Sequence, residues 1–346
     1  MKWFKLIFLI VTVFILTGCW NYRELEDLAI VGAIGVDKGD NGYAISVEVL
    51  NAKKVASSTT SSSGSDETPS VVYEAEGKTI REALNRIILE APKKLYIGHM
   101  NLLVISEAIA KDGLYSITDF FMRDVESRKI FPIVVVRNTK ASVVLKTIKP
   151  LETVTSSNIE ASLTATSSVS SIVSNRLFDE VLTSLYQEGR HPTVSAIEVV
   201  NPTEEGETND NLSSTEAKTT VKIIGSSVFK NDKLVGYLNT EESLGYTIIR
   251  NKVESLTISF SCDSNNYGNV VVDGLSTNLK VNIDKNKPVA NINVTGGAAL
   301  VEYNCKDDLT NESNIKKITS LVNAALKTII NNAINITQTK FSSDIF

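Results

Sequence analysis

Leu28-Ala29-Ile30-Val31-Gly32-Ala33-Ile34-Gly35-Val36 (28–36) holds no charged side chain. It leads into Gly39-Asp40-Asn41-Gly42 (39–42) and then the alternating run from Tyr43 to Leu50. An apolar run, a turn of Gly, Asp and Asn, and a second run with period two predict a β-hairpin. Gly32 and Gly35 lack the third glycine of a dinucleotide site, so they read as close-packing positions in a strand. Further along, Thr79 can cap a helix that places Ile80, Ala83, Leu84, Ile87 and Ile88 on one face before Pro92 stops it. Leu102 to Ile105 and Phe131 to Val136 read as buried strands. Glu107 to Met122 reads as a helix interrupted near Gly113, and Asn175 to Glu188 as another amphipathic helix. Strands mixed with helices in this way predict an α+β fold with mixed sheets.

Two polar stretches break the pattern. Ser57 to Ser70 has no apolar residue to bury and reads as a mobile loop. Pro202 to Lys218 is rich in acids (Glu204, Glu205, Glu207, Asp210, Glu216) and reads as a linker at a domain boundary. Beyond it, Val221 to Phe229 and Leu234 to Leu238 flank Asn231-Asp232-Lys233 as a hairpin. Strand-like runs follow at Ser255 to Cys262, Asn269 to Asp273, Leu279 to Ile283 and Ala290 to Val294. From Ile315 to Ile334 apolar residues keep helical spacing, a stripe expected to pack across the sheet as core.

The N-terminus is of another kind. Lys2 and Lys5 precede an apolar stretch from Leu6 to Leu16, and Leu16-Thr17-Gly18-Cys19 follows. Basic, apolar and small-residue zones in that order mark a secretory signal over residues 1–18. The apolar stretch is shorter than the roughly 20 residues of a spanning helix. Leu16-Thr17-Gly18-Cys19 resembles a lipoprotein lipobox, which implies cleavage before Cys19, a diacylglyceryl group on its sulfur and an acyl chain on its amine. Each buried methylene contributes about 0.8 kcal/mol, so two or three chains hold a protein at a bilayer durably. Loss of Lys2 and Lys5 makes an already acidic body more so, leaving the anchoring to lipid rather than charge.

With 346 residues the chain has room for two or three folded units. Its net charge of −5 argues against a basic nucleic-acid-binding face. Two histidines, His99 and His191, and three cysteines are too few for a multi-ligand zinc site or an iron–sulfur cluster, and no cofactor is expected. Gly77-Lys78-Thr79 imitates the end of a phosphate-binding loop, but position 72, where the pattern needs glycine, is Val72. His99 reads as a hydrogen-bonded, half-buried residue and His191 as a loop residue before Pro192; no Gly-x-Ser-x-Gly elbow accompanies either. No catalytic or metal-binding residue is assigned. Cys262 and Cys305, exposed to an oxidising exterior, are either bridged or two partly buried thiols.

The block from Gly18-Cys19-Trp20-Asn21-Tyr22-Arg23-Glu24-Leu25-Glu26-Asp27 to Val36-Asp37 resembles the start of the Ger(x)C spore-germination lipoproteins, the C subunits of germinant receptors. The resemblance continues through Tyr96-Ile97-Gly98-His99-Met100, Ile117-Thr118-Asp119-Phe120-Phe121-Met122-Arg123-Asp124 and the stretch Gly225 to Leu238. It implies three mixed α/β domains: a discontinuous first at 19–56 and 150–201, a second at 71–149 and a third at 219–346. It further implies a non-enzymatic subunit of a nutrient germinant receptor, needed to trigger germination, acting with integral-membrane A-type and B-type subunits. Its place would be the outer face of the inner spore membrane, with Cys19 as the lipid site. Family members usually continue past the motif that here reads Ser343-Asp344-Ile345-Phe346, so the resemblance implies an incomplete third domain with an exposed sheet edge or a partly uncovered long helix. Two other classes make distinct predictions. A solute-binding lipoprotein needs a deep interdomain cleft with converging polar groups, and a cell-envelope hydrolase needs a nucleophile and base about 3 Å apart.

Overall fold

The structure, a computed structural model, describes residues 3–5, 24–51, 68–152, 154–213 and 215–346. Among these, nine strands form one mixed sheet. The hairpin predicted at the start is β1 (Leu28–Gly39) and β2 (Gly42–Leu50), which β3 (Ser70–Gly77) extends antiparallel. On the other side of β1 lie β5 (Leu102–Ser106), β6 (Ile133–Arg137) and β7 (Thr193–Val200), all parallel to it, while short β4 (Lys94–Tyr96) pairs with its first residues. The antiparallel pair β8 (Thr220–Lys230) and β9 (Lys233–Leu238) completes the order β3-β2-β1-β5-β6-β7-β8-β9.

Parallel strands need cover on both faces, and period two divides their side chains between two cores. Ile34, Val36, Leu103, Ile105, Ile133 and Val135 face α1 (Ile80–Ile87), α2 (Glu107–Asp112), α3 (Tyr115–Arg123) and, further along the chain, a helix at Phe178–Tyr186. Phe121, Phe131 and Phe178 fill that side, their ring centroids 4.9 to 5.4 Å apart. Ala33, Leu102, Val104, Val134 and Val136 face α4 (Ala141–Lys146) and α5 (Thr155–Val169) on the opposite side. The helix at Phe178–Tyr186 is therefore α6 in chain order.

After β9 come α7 (Thr240–Ile249), a three-stranded antiparallel sheet of β10 (Ser255–Ser261), β11 (Tyr267–Asp284) and β12 (Lys287–Tyr303), and the long helix α8 (Glu312–Asn335). Leu244 and Ile248 of α7, Ile318 and Val322 of α8 and alternate residues of β10 and β11 make its core.

Several expectations need correction. The hairpin of 220–238, assigned to the third domain, extends the large sheet, because β8 pairs with β7 along its length. Residues assigned to the first and second domains likewise share that one sheet. The acidic stretch is pinned, not free: the Asn211 amide donates to Ile148 O (2.7 Å) and Thr219 O (2.9 Å), and its Oδ1 accepts from Thr219 N. Asn269 to Asp273 and Leu279 to Ile283 belong to a single strand that passes a register shift beside Gly274. The apolar stripe of α8 is covered on a narrower face than expected. Ile318, Val322 and Ala333 are buried, Leu326 and Ile329 half-buried, and Ile315 exposed. Most of the serine-rich run lies outside the described residues; its last residue, Ser70, opens β3.

Candidate functional site

A groove of about 760 Å³ lies between α1, α3 and the start of β2, lined by Tyr43, Arg81, Tyr115, Asp119, Phe120 and Arg123. Local sequence builds it. The Thr79 hydroxyl accepts from Glu82 N at 3.1 Å and starts α1, whose Ile80, Ala83, Leu84 and Ile87 turn inward and leave Arg81 outside. Gly113, at φ 132°, separates α2 from α3, and Leu114 N donates to Asp232 O in the β8–β9 turn at 3.0 Å. On α3, Ile117 and Phe121 enter the core while Asp119 and Arg123 pair on the outside at 2.8 Å. The Arg81 guanidinium lies 5.1 Å from the Phe120 ring and pairs with Asp124, whose carboxylate also accepts from Glu126 N and Ser127 N. Both arginines of the groove are thus engaged by carboxylates of the segment Ile117–Asp124. A solute site instead directs its polar groups at the empty space.

Among the described residues neither histidine stands with a nucleophile. His99, contrary to expectation, is exposed, because it sits at the tip of the 97–101 turn; its contact is an edge approach to Tyr96 at 5.7 Å. His191 is half-buried: its Nδ1 accepts from Asn231 N (3.0 Å) and its backbone N–H donates to Asp344 O (2.6 Å). Burial there lowers its pKa, partly opposed by Asp344. Among the described residues no cluster of His, Cys, Asp or Glu could hold a metal ion. Cys262 and Cys305 are joined in a disulfide, with Cα atoms 6.2 Å apart, tying the end of β10 to the chain after β12. Cys19 lies outside the described residues, as does the leader apart from 3–5.

The sequence did not flag two buried acids that organise one face of the sheet. Asp37, 3% exposed, accepts from Ala141 N (2.7 Å) and Ser142 N (2.9 Å) at the start of α4. Glu48, fully buried, accepts from Thr155 N (2.8 Å) and Ser156 N (3.0 Å) at the start of α5, and from the Ser70 hydroxyl (2.9 Å). Neither helix has a capping side chain of its own, so the hairpin supplies both caps and places a negative charge at each helix N-terminus. Burial raises the Asp37 pKa against the pull of those two N–H groups. Beside Glu48 lies Lys149, whose Nζ makes no hydrogen bond among the described residues; burial lowers it to about 7 although Glu48 pulls the other way. The only hint in the sequence is acidic residues, Asp37 and Glu48, at otherwise apolar strand positions.

A second network, buried at Tyr246 and open at Lys252, links the two sheets. Arg176 and Thr193 both donate to the Tyr246 hydroxyl, the latter at 2.8 Å, and Arg176 and Lys252 both pair with Glu180 at 3.1 Å.

These features define an α+β scaffold: a large mixed sheet clad in helices on both faces, locked by buried polar contacts to a smaller sheet. A family model described as the spore germination protein N-terminal domain matches residues 21–199, and one described as spore germination B3/GerAC like, C-terminal, matches 224–346. The chain belongs to the Ger(x)C family of spore germination proteins. The gap between the two models falls on the acidic stretch, although strand pairing crosses it. Spore germination protein KC of Bacillus subtilis (strain 168) is 31% identical over 256 residues, covering 73% of this chain and 63% of that protein. Spore germination protein GerQC of Bacillus cereus is 21% identical over 320 residues, covering 92% and 81%. The matches to KC and to the putative spore germination protein YfkR of Bacillus subtilis (strain 168) span 63% and 58% of those proteins' own lengths. Among solved structures, the crystal structure of the GerBC protein matches with a TM-score of 0.52 at 15% identity, over 90% of this chain and 83% of that one. That likeness establishes the fold.

Proposed function

We propose that this chain is the lipid-anchored, non-enzymatic subunit of a nutrient germinant receptor, held by an acylated Cys19 at the outer face of the inner spore membrane. There it acts with A-type and B-type integral-membrane subunits to trigger germination. The observation that carries the reading is membership of the spore-germination family along both halves of the chain. The segment Leu16-Thr17-Gly18-Cys19 supplies the anchor. Among the described residues no helix is long and apolar enough to cross a membrane. A tether confines the protein to two dimensions and raises its effective concentration beside membrane partners. Capture of a small solute is the weaker reading, because Arg81 and Arg123 in the large groove already hold Asp124 and Asp119.

The test is Cys19→Ala, followed by membrane fractionation of spores and by nutrient-triggered germination. Loss of the protein from the membrane fraction together with a fall in receptor-dependent germination is expected. Retention with normal germination overturns the reading. Affinity purification of the intact chain from spore membranes should bring the two integral-membrane subunits with it.

A further inference from the structure

We infer that the sheet edge at which β1 begins is a lipid-contacting surface, where loops 88–93 and 124–130 dip apolar side chains into the headgroup region of the bilayer. The inference rests on the anchor reading and adds an orientation to it. The parallel strands β1 and β4 start at this edge, while β5 and β6 start further along, level with Ala33 and Ile34; loop 124–130 reaches the edge through Glu126, which pairs with Lys94 at the start of β4. Leu28 pairs with Lys94, and Val125 and Ile88 line one small depression with Lys94.

Among the described residues from Glu24 on, the three most exposed large apolar side chains are Leu151 (100%), Val125 (97%) and Leu89 (87%). Leu89 and Val125 lie on this edge, with Ile130 (65%) on the second loop and Ile88 beside Leu89. Leu151 sits four residues before Thr155, whose N–H shares the Glu48 carboxylate with Ser70 at the start of β3. The edge also carries an apolar hollow of about 460 Å³ between Leu28, Ile30, Leu50, Val71, Tyr73 and Pro92. Single exposed apolar residues are ordinary on any surface; several on separate loops at one edge mark a contact site. The opposite edge differs. Its turns carry Asp40, Asn41, Lys78, Asn138 and Lys140, and Lys38 pairs with Asp112 across it at 2.7 Å.

The length of chain outside the structure names the occupant. Five chain steps lead from Cys19 to Glu24, the first described residue before β1. Fully extended they reach about 18 Å. An acyl-anchored Cys19 therefore holds Glu24 within that distance of the lipid, the single turn Leu25–Asp27 leads from there into β1, and the loops beside Leu28 are those nearest to it. Apolar side chains on a rigid edge, buried a few ångströms into the acyl boundary, suit an interfacial contact and do not require spanning.

The experiment uses the full acylated chain. With Cys19 modified and Cys262 and Cys305 bridged, a cysteine placed by Leu89→Cys, Val125→Cys or, as control, Asp40→Cys is the one free thiol and takes an environment-sensitive fluorophore. All three side chains are exposed, so the variants keep the fold. Each is reconstituted into vesicles of phosphatidylglycerol and phosphatidylethanolamine; flotation reports attachment and mass spectrometry reports acylation. Expected is a blue-shifted emission at 89 and 125 that lipid-borne quenchers reduce, with position 40 water-like. Water-like emission at 89 and 125 in floated, acylated protein overturns the inferred edge and leaves the anchor standing. An unmodified Cys19, or failure to float, overturns the anchor and the orientation with it.

Discussion

Lys149 is an expensive residue. A buried ammonium beside a carboxylate whose oxygens already serve Thr155, Ser156 and Ser70 gains less from that neighbour than it loses in hydration. Its pKa is lowered to about 7, so in the folded state it holds its proton less tightly than in the unfolded chain, where 10.5 is the ordinary value. Stability therefore falls as pH drops from about 10.5 to 7 and stays low below that. Lys149→Met should raise stability by on the order of 3 kcal/mol at pH 7 and below, with the gain shrinking toward pH 10. Urea midpoints across that range check it, and a pH-independent gain would refute the electrostatic account. His191 has the same sign at lower pH. Its pKa is also lowered, mainly by burial, so its contribution is intact above 6.5 and declines as pH falls from there through the folded value. His191→Asn, which keeps an acceptor for Asn231 N, should flatten the decline in urea midpoint between pH 7.5 and 5.5.

Elements were legible where their determinants are local. For α1 the cap, the apolar face and the stop lie within fourteen residues, from Thr79 to Pro92, and the structure follows them with Ile88 left outside at the end. Gly113 separates α2 from α3 where its positive φ allows the break. The helix α5 carries no such signal. Its sequence, Thr-Ser-Ser-Asn-Ile-Glu-Ala-Ser-Leu-Thr-Ala-Thr-Ser-Ser-Val, lacks an apolar stripe, and Ser162 and Thr166 hydroxyls bond back to carbonyls one turn earlier. Its cap is Glu48, 107 residues before Thr155. Nothing short of the assembled sheet could reveal it, and β7, interrupted by Thr193, Ser195 and Glu198, is hidden for the same reason. The groove residues Asp119 to Asp124 were legible only through the family resemblance, since their pairing with Arg81 is tertiary. Glu48→Ala leaves two backbone N–H groups and the Ser70 hydroxyl without their acceptor, and should cost about 2–4 kcal/mol. Glu48→Gln keeps one acceptor oxygen and should cost roughly half as much. Denaturant unfolding of both variants checks the order; equal costs would mean that the charge matters more than the hydrogen bonds.

At the scale of the whole molecule, the two sheets are joined by polar contacts, buried at Tyr246 and more open towards Lys252, that come from distant parts of the chain. Tyr246 of α7 accepts from Arg176 and Thr193, Ser171 Oγ donates to Ser255 O (2.8 Å) and accepts from Glu254 N (3.1 Å), and Lys252 reaches Glu180. The segment after α8 closes the joint. Phe341 packs against Gly236 of β9, where any Cβ would strike its ring; the Ser343 hydroxyl donates to Phe229 O, and Ile345 is fully buried beside Val228 and Tyr246. Close-packed contacts of this kind leave the two sheets little freedom to move against each other. Tyr246→Phe removes the shared acceptor and should cost about 1–3 kcal/mol. Phe341→Ala empties a buried ring site and should cost about 3–5 kcal/mol. Both changes lie at the joint, so their combined effect should fall on cooperativity as well as on midpoint. The wild-type chain should unfold in one calorimetric transition, and the double variant in two, the smaller sheet with α8 melting first. A single transition that merely moves to lower temperature would show that the backbone pairing of β7 with β8, not these side chains, holds the two parts together.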